Sequence, residues 1–211
     1  VWCSQSRQQV GVGMTFIIGI AGRMRTGKSS LAEYLEHYLE QTHTTMTFSF
    51  AEAVRQEVAE ALWPKSGSPE ARFLLEVKEA AHKESVRPLL QALGQAKRQM
   101  VDEDYWVEAV RTAINRQGET SIAIIDDVRH HNEADFCIEN GILIRLRAPE
   151  STLIERGASP ERLAHYSENA MRKPSKLELH YPHKVLTLNT AGLSPKGMFK
   201  ALRPFIDEVI E

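Results

Sequence analysis

The chain has 211 residues, with 26 lysines and arginines against 28 aspartates and glutamates. A formal net charge of −2 gives no global attraction to nucleic acid or to an anionic membrane, so any basic site must be local. The length and an ordinary mix of apolar and charged residues suit one α/β domain with small insertions.

Cys3 and Cys137 lie far apart and lack metal-ligand spacing, which fits free thiols in a reducing compartment better than a disulfide scaffold. No apolar run approaches the roughly 18 residues of a membrane span. The start of the chain lacks the basic and apolar stretches of a signal peptide. The expected setting is cytoplasmic, without nucleic-acid or membrane partners, as a monomer or homodimer. Residues 1–13 are polar and read as a loose tail, an upstream extension or a cloning remnant. Residues 14–211 read as a single domain.

Short apolar runs followed by longer segments of helical period recur along the chain, the pattern of a parallel sheet covered on both faces. Thr15 to Ala21 is the first predicted strand. Leu31, Tyr34, Leu35, Tyr38 and Leu39 share one helical face, so a helix is expected from Lys28 to about Gln41. Thr44 to Phe50 predicts the second strand and Ala51 to Leu62 a helix. The stretch Trp63 to Pro69 breaks the pattern, and Pro69 with Glu70 suits the opening of the next helix. Further helices are expected over Pro88 to Met100 and around Trp106, Val107, Val110 and Ile114. Residues 51–117 are thus helical between two strands, too long for a simple crossover, and should form a lobe that covers a substrate. Ser121 to Asp126, Ile142 to Leu146 and Val185 to Leu188 complete five strands, as in a doubly wound sheet. Pro204 should kink or split the last helix.

Gly22, Gly27, Lys28 and Ser29 have the spacing of the P-loop, between an apolar strand and an amphipathic helix. Glycines let successive N–H groups converge on phosphate oxygens, and the helix N-terminus adds partial positive charge. Lys28 is suited to the outer phosphates of ATP and the Ser29 hydroxyl to Mg²⁺. Arg25, Thr26 and Ser30 complete the expected phosphate-binding set.

Asp126 and Asp127 end the third predicted strand, where a P-loop fold needs a carboxylate for Mg²⁺ or its waters. One of the two suits a turn or helix cap, which leaves the other for the metal. Arg129, two residues on, is placed to grip an acceptor phosphate in two-pronged fashion. Between Arg145 and Arg172 stand Arg145, Arg147, Arg156, Arg162 and Arg172, a density that suits a lid over residues 148–175 closing on transferring phosphates. Arg147 and Arg162 are the favoured pair. His130, His131 and His165 match no common zinc spacing and read as structural or orienting residues. Trp63, Tyr105 and Trp106 have rings able to stack on a base, although aromatics at helical spacing usually pack in a core.

A family resemblance accompanies these motifs. The segment from Asp127 to Ala134, Asp-Val-Arg-His-His-Asn-Glu-Ala, is similar to the Asp-Val-Arg-Phe-x-Asn-Glu-Ala segment of viral and bacterial deoxynucleoside monophosphate kinases, relatives of adenylate kinase. Arg87 to Gly94 resembles their Arg-x-Leu-Leu-Gln-x-x-Gly helix, with Arg98 and Asp104-Tyr105-Trp106 following. His165-Tyr166-Ser167-Glu168 resembles their His-Pro-Ser-Glu stretch near the lid. The resemblance implies an adenylate-kinase-like P-loop fold with a helical acceptor-binding insertion and a short lid. It also implies transfer of the γ-phosphoryl group of Mg-ATP to a deoxynucleoside monophosphate. Arg129 would then hold the acceptor phosphate, Arg87 and Gln91 would face the acceptor nucleotide, and Asp127 would serve the magnesium. The family's Phe-Ala-Asp-Pro-Leu-Lys is here Phe50-Ala51-Glu52-Ala53-Val54-Arg55, which leaves Arg55 to meet the acceptor phosphate. Its Gly-Thr is Gly94-Gln95, and its lid proline is Tyr166.

Two alternatives stand beside this one. Animal-type phosphomevalonate kinases have a similar loop and an Asp-x-Arg segment. A nucleotide-operated switch would need an Asp-x-x-Gly or an Asn-Lys-x-Asp motif, and the chain has neither in place.

Overall fold

The computed structural model describes residues 15–62, 68–76, 80–118 and 121–210. Cys3, Trp63 and the expected tail over residues 1–13 lie outside them. The five strands are β1 (Phe16–Gly22), β2 (Thr45–Phe48), β3 (Ile122–Val128), β4 (Gly141–Arg147) and β5 (Val185–Asn189). They form one sheet of order β2-β3-β1-β4-β5, parallel at every pairing. β1, β3 and β4 read as nearly continuous apolar runs because both faces of a parallel sheet are covered.

Alternation along the strands divides the core in two. Ile18, Ile20, Ile122, Ile124, Ile142 and Ile144 point toward helices α1 (Lys28–Leu39) and α11 (Pro195–Ile210). Ile17, Ala123, Ile125 and Leu143 point the other way, toward α2 (Phe50–Leu62), α5 (Tyr105–Arg116) and α6 (His131–Asn140). Arg145 falls on that second face, two residues past Leu143, and so is buried. Its Nη1 donates to Glu178 Oε2 at 2.7 Å, and its Nη2 to the carbonyl of Met171. The pair compensates a charge that alternation forces inside.

Between β2 and β3 lie α2, α3 (Pro69–Glu76), α4 (Ala80–Met100) and α5. Between β4 and β5 lie α7 (Glu150–Glu155), α8 (Pro160–Ala164), α9 (Tyr166–Asn169), α10 (Lys176–His180) and a 3₁₀ turn over Pro182–Lys184. Trp106 is 1 % exposed, and its ring N–H donates to the carbonyl of Gly94, which binds α5 to α4. Tyr105 donates to Glu57. Trp106 is thus part of the core, and Tyr105 is partly buried against it. Cys137 is fully buried, which pushes its thiol pKa well up.

Pro88 departs from expectation, and Pro204 does not split its helix. α4 begins at Ala80 and runs through Pro88, and α11 runs unbroken through Pro204. Both prolines sit on the exposed face of their helix, where water can satisfy the carbonyl each leaves without a partner. The second strand ends at Phe48, and Phe50 already belongs to α2.

Candidate active site

The P-loop joins the end of β1 to the start of α1, at the carboxyl edge of the sheet where ligands bind in such folds. Gly27 has φ 97°, a left-handed conformation that a side chain resists. A Cβ on Gly22 would lie 2.7 Å from the Leu146 carbonyl and from Thr26 Oγ1. Thr26 is 1 % exposed, and its hydroxyl donates to the Arg23 carbonyl at 2.7 Å, which braces the loop from within. Arg25 also adopts positive φ, 61°, with its side chain exposed. Ser30 follows in the first turn of α1, half-buried.

Lys28 folds back over the loop, donating to the carbonyls of Gly22 at 2.8 Å and Arg23 at 3.1 Å. Burial, and then the nearby Arg129, lower its pKa from 10.5 to about 8. Bound phosphates supply the opposite charge and would raise it again. Above pH 8 the free protein has therefore lost a proton that the complex must regain. ATP affinity should fall as pH rises from 8 toward 10, with a slope approaching one log unit per pH unit. Equilibrium titration of Mg-ATP across that range checks this, and a flat profile contradicts it.

The two aspartates at the end of β3 have separate partners. Asp127 is committed to α2: it accepts from the Ser49 hydroxyl at 2.9 Å and from the N–H groups of Phe50 and Ala51 at 2.8 Å each. It is a helix cap. Asp126 instead receives the Ser29 hydroxyl at 2.8 Å. Asp127, expected to serve the magnesium, thus has its oxygens taken up by Ser49 and the start of α2, while Asp126 stands beside Ser29. Burial, with Asp127 beside it, raises the Asp126 pKa. A bound dication would reverse that shift. The Ser29 hydroxyl and the Asp126 carboxylate offer hard oxygen donors side by side, which fits Mg²⁺ held mainly by phosphates and water. Asp127→Ala should cost about 1–2 kcal/mol of stability through the lost cap, read by urea unfolding, whereas Asp126→Asn should raise the Mg²⁺ concentration needed for half-maximal ATP binding. Unchanged stability in the first variant would contradict the capping role.

Two cavities meet at Arg129. The first, of about 250 Å³, is walled by Phe50, Val54, Val86 and Leu90 and also lined by Arg55, Arg87, Gln91 and Arg98. The four residues predicted for the acceptor, Arg55, Arg87, Gln91 and Arg129, thus line one space. The second, of about 230 Å³, lies between the P-loop and the segment joining β4 to β5, lined by Gly22, Thr26, Arg147, Glu168 and Arg172. Arg129 lines both.

The remaining arginines have distinct places. Arg147 and Arg172 are exposed at the second cavity. Arg162 sits in α8, where Ser159 caps its backbone N–H, and it lines neither cavity. Of the expected pair, Arg147 thus lines the cavity beside the loop and Arg162 does not, whereas Arg172 does. Arg156 donates to the carbonyls of Arg25 at 3.2 Å and Thr190 at 2.6 Å, which ties the P-loop to the turn after β5.

Two site residues, Glu133 and Glu168, escaped the sequence reading. Glu133, 1 % exposed, accepts from the N–H groups of Arg129 at 2.7 Å and His130 at 3.1 Å and pairs with Arg98 Nη2 at 2.5 Å. Glu168 pairs with Arg129 Nη1 and accepts from the Met24 N–H at 2.5 Å. His130 lines the first cavity, and burial, then Arg98 and Arg129, lower its pKa to about 4, so it is neutral at physiological pH. Both acids stand inside motifs already quoted, and that placement was the available signal.

Among the described residues no helix is long and apolar enough to cross a membrane. The chain is similar to solved structures of a shikimate kinase from Aquifex aeolicus vf5 (12 % identity, covering 92 % of this chain and 97 % of that one, TM-score 0.48). It is also similar to TT1252 from Thermus thermophilus (16 % identity, 92 % and 98 %, TM-score 0.47) and to a gluconokinase from Sinorhizobium meliloti 1021 (12 % identity, 93 % and 95 %, TM-score 0.48). No curated protein matches the sequence. A family profile described as AAA domain matches residues 18–168, from within β1 through the P-loop and the first cavity to Glu168 of the second, and the chain belongs to that family.

Proposed function

We propose that the chain transfers the γ-phosphoryl group of Mg-ATP to a nucleoside monophosphate, a deoxynucleotide above all, giving ADP and the diphosphate. The observation that carries this is Arg129, which lines both the cavity beside the P-loop and the cavity that gathers Arg55, Arg87 and Gln91. An acceptor phosphate gripped there faces a γ-phosphate seated on the loop.

The acceptor oxygen attacks the γ-phosphorus while the bond to the β–γ bridging oxygen breaks, and ADP leaves with that electron pair. The acceptor phosphate is already ionised, so no general base is needed. Catalysis then rests on position and on spread positive charge. Lys28 and Arg129 flank the reaction, with Arg147 and Arg172 on the lid side, the lid being residues 148–175. Magnesium, held beside Ser29 and Asp126, would neutralise phosphate charge. Phe50, Val54, Val86 and Leu90 offer an apolar wall to a base, and the Gln91 amide can pair with a base edge. Residues 51–117 would thus be the acceptor-binding region. A cytoplasmic setting suits both substrates.

Four arginines around one cavity also suit a small ester with a second anionic group, such as phosphomevalonate. ADP release with Mg-ATP against deoxy- and ribonucleoside monophosphates and phosphomevalonate separates the two. Stimulation by a monophosphate is expected, and stimulation by none of them ends the nucleotide reading.

A further inference from the structure

We infer that Glu168 is a positioning residue that couples the aim of Arg129 to the seating of the lid segment on the P-loop. The inference rests on the proposed reading of Arg129 as the residue that grips the acceptor phosphate.

The Glu168 side chain is 5 % exposed, although it stands on α9, far along the chain from both of its partners. One carboxylate oxygen accepts from the Met24 N–H of the P-loop at 2.5 Å, and the other pairs with Arg129 Nη1. A buried carboxylate is costly unless its charge and lone pairs are met, and here both are. Burial alone would raise its pKa, yet Arg129, the Met24 N–H and Lys28 outweigh burial and hold it below the usual range.

The backbone that carries Glu168 is itself fastened. Arg23 Nη2 donates to the Leu163 carbonyl at 2.9 Å, and Asn169 Nδ2 donates to the carbonyls of Leu163 and His165 at 2.9 Å each. Arg23 belongs to the P-loop, so α8 and α9 are tied to it by two independent contacts, Arg23 to Leu163 and Met24 to Glu168. Arg129 is fixed from the opposite side, since Glu133 accepts its backbone N–H. A guanidinium carries five donors in a rigid fork. With Glu168 holding one end, the remaining edge stays available where the two cavities meet. When the lid segment is not seated, Arg129 loses its counter-charge and its aim together. Only the seated segment completes the acceptor grip.

Glu168→Gln keeps the shape and removes the charge. It should lower kcat about 30-fold and raise the acceptor KM several-fold, while Mg-ATP affinity stays within about threefold of the parent. Glu168→Asp, one methylene shorter, should fall between them. Because Glu168 acts through Arg129, losses in Glu168→Gln and Arg129→Lys should not add in the double variant. Near-normal kcat, or additive losses, would overturn the inference. So would a rise in Mg-ATP affinity of about tenfold, because Glu168 would then occupy a phosphate position and be displaced by nucleotide. A readout independent of any acceptor is the Arg129 Nε–H resonance, assigned by its loss in Arg129→Lys. It should be sharp and slow to exchange in the parent and broadened in Glu168→Gln; an unchanged resonance contradicts the coupling. If no acceptor in the panel stimulates ADP release while this resonance behaves as expected, the proposed reaction fails and the coupling stands.

Discussion

Replacing Lys28 by alanine is expected to lower turnover about 100-fold or more, a loss of about 2.7 kcal/mol in transition-state stabilisation, with the fold intact. The ammonium lies against the carbonyls of Gly22 and Arg23, at the mouth of the loop that would hold the phosphates. It is a buried cation whose proton is already loosened, with a pKa of about 8. Its removal therefore relieves a desolvated charge, so thermal stability should hold even as catalysis fails. The Mg-ATP titration of the same variant should lose its pH slope above pH 8. A folded variant with near-normal turnover would show that the loop is not the donor site.

Arg129→Lys should cost about 100-fold in kcat/KM for the acceptor, although it keeps the positive charge. Lysine offers a point charge in place of a fork, so it cannot hold Glu168 and grip a phosphate in two-pronged fashion at the same time. Donor binding should change far less, since the loop's N–H groups and Lys28 remain. Steady-state kinetics with the acceptor varied, beside an Mg-ATP titration, separates the two effects. Equal losses on both sides would mean that Arg129 serves the loop and not the acceptor.

Much of the fold was legible in the sequence, since buried parallel strands and amphipathic helices announce themselves by period. Strand order was not, because it depends on which apolar faces meet and leaves no local signal. The P-loop was legible residue by residue, its chemistry being fixed by spacing. Which partner each of Asp126 and Asp127 takes was not, and the cause lies in β3. Its pairing with β1 is regular from Phe16 and Ile122 to Gly19 and Ile125, then shifts, so that Ala21 meets Val128. Such a bulge re-aims the side chains beside it, which directs Asp127 to the start of α2 and Asp126 to Ser29.

Of the residues expected to meet the acceptor, Arg129 was singled out by position and Arg55, Arg87 and Gln91 by resemblance, and one cavity is lined by all four. The carboxylates that hold Arg129 were overlooked because an acid inside a motif gains its role from a partner distant in sequence. For Glu168 that distance is 39 residues to Arg129 and 144 to Met24. Neither proline interrupts its helix, for a related reason. A proline ends a helix only where the freed carbonyl has no alternative, and on an exposed face water supplies one.

The central claim is transfer to an acceptor, and phosphorus NMR of the protein with Mg-ATP and a deoxynucleoside monophosphate tests it most directly. The account predicts that the monophosphate resonance is replaced by the two coupled resonances of a diphosphate as ADP accumulates. Orthophosphate appearing in their place, or no change at all, would contradict it.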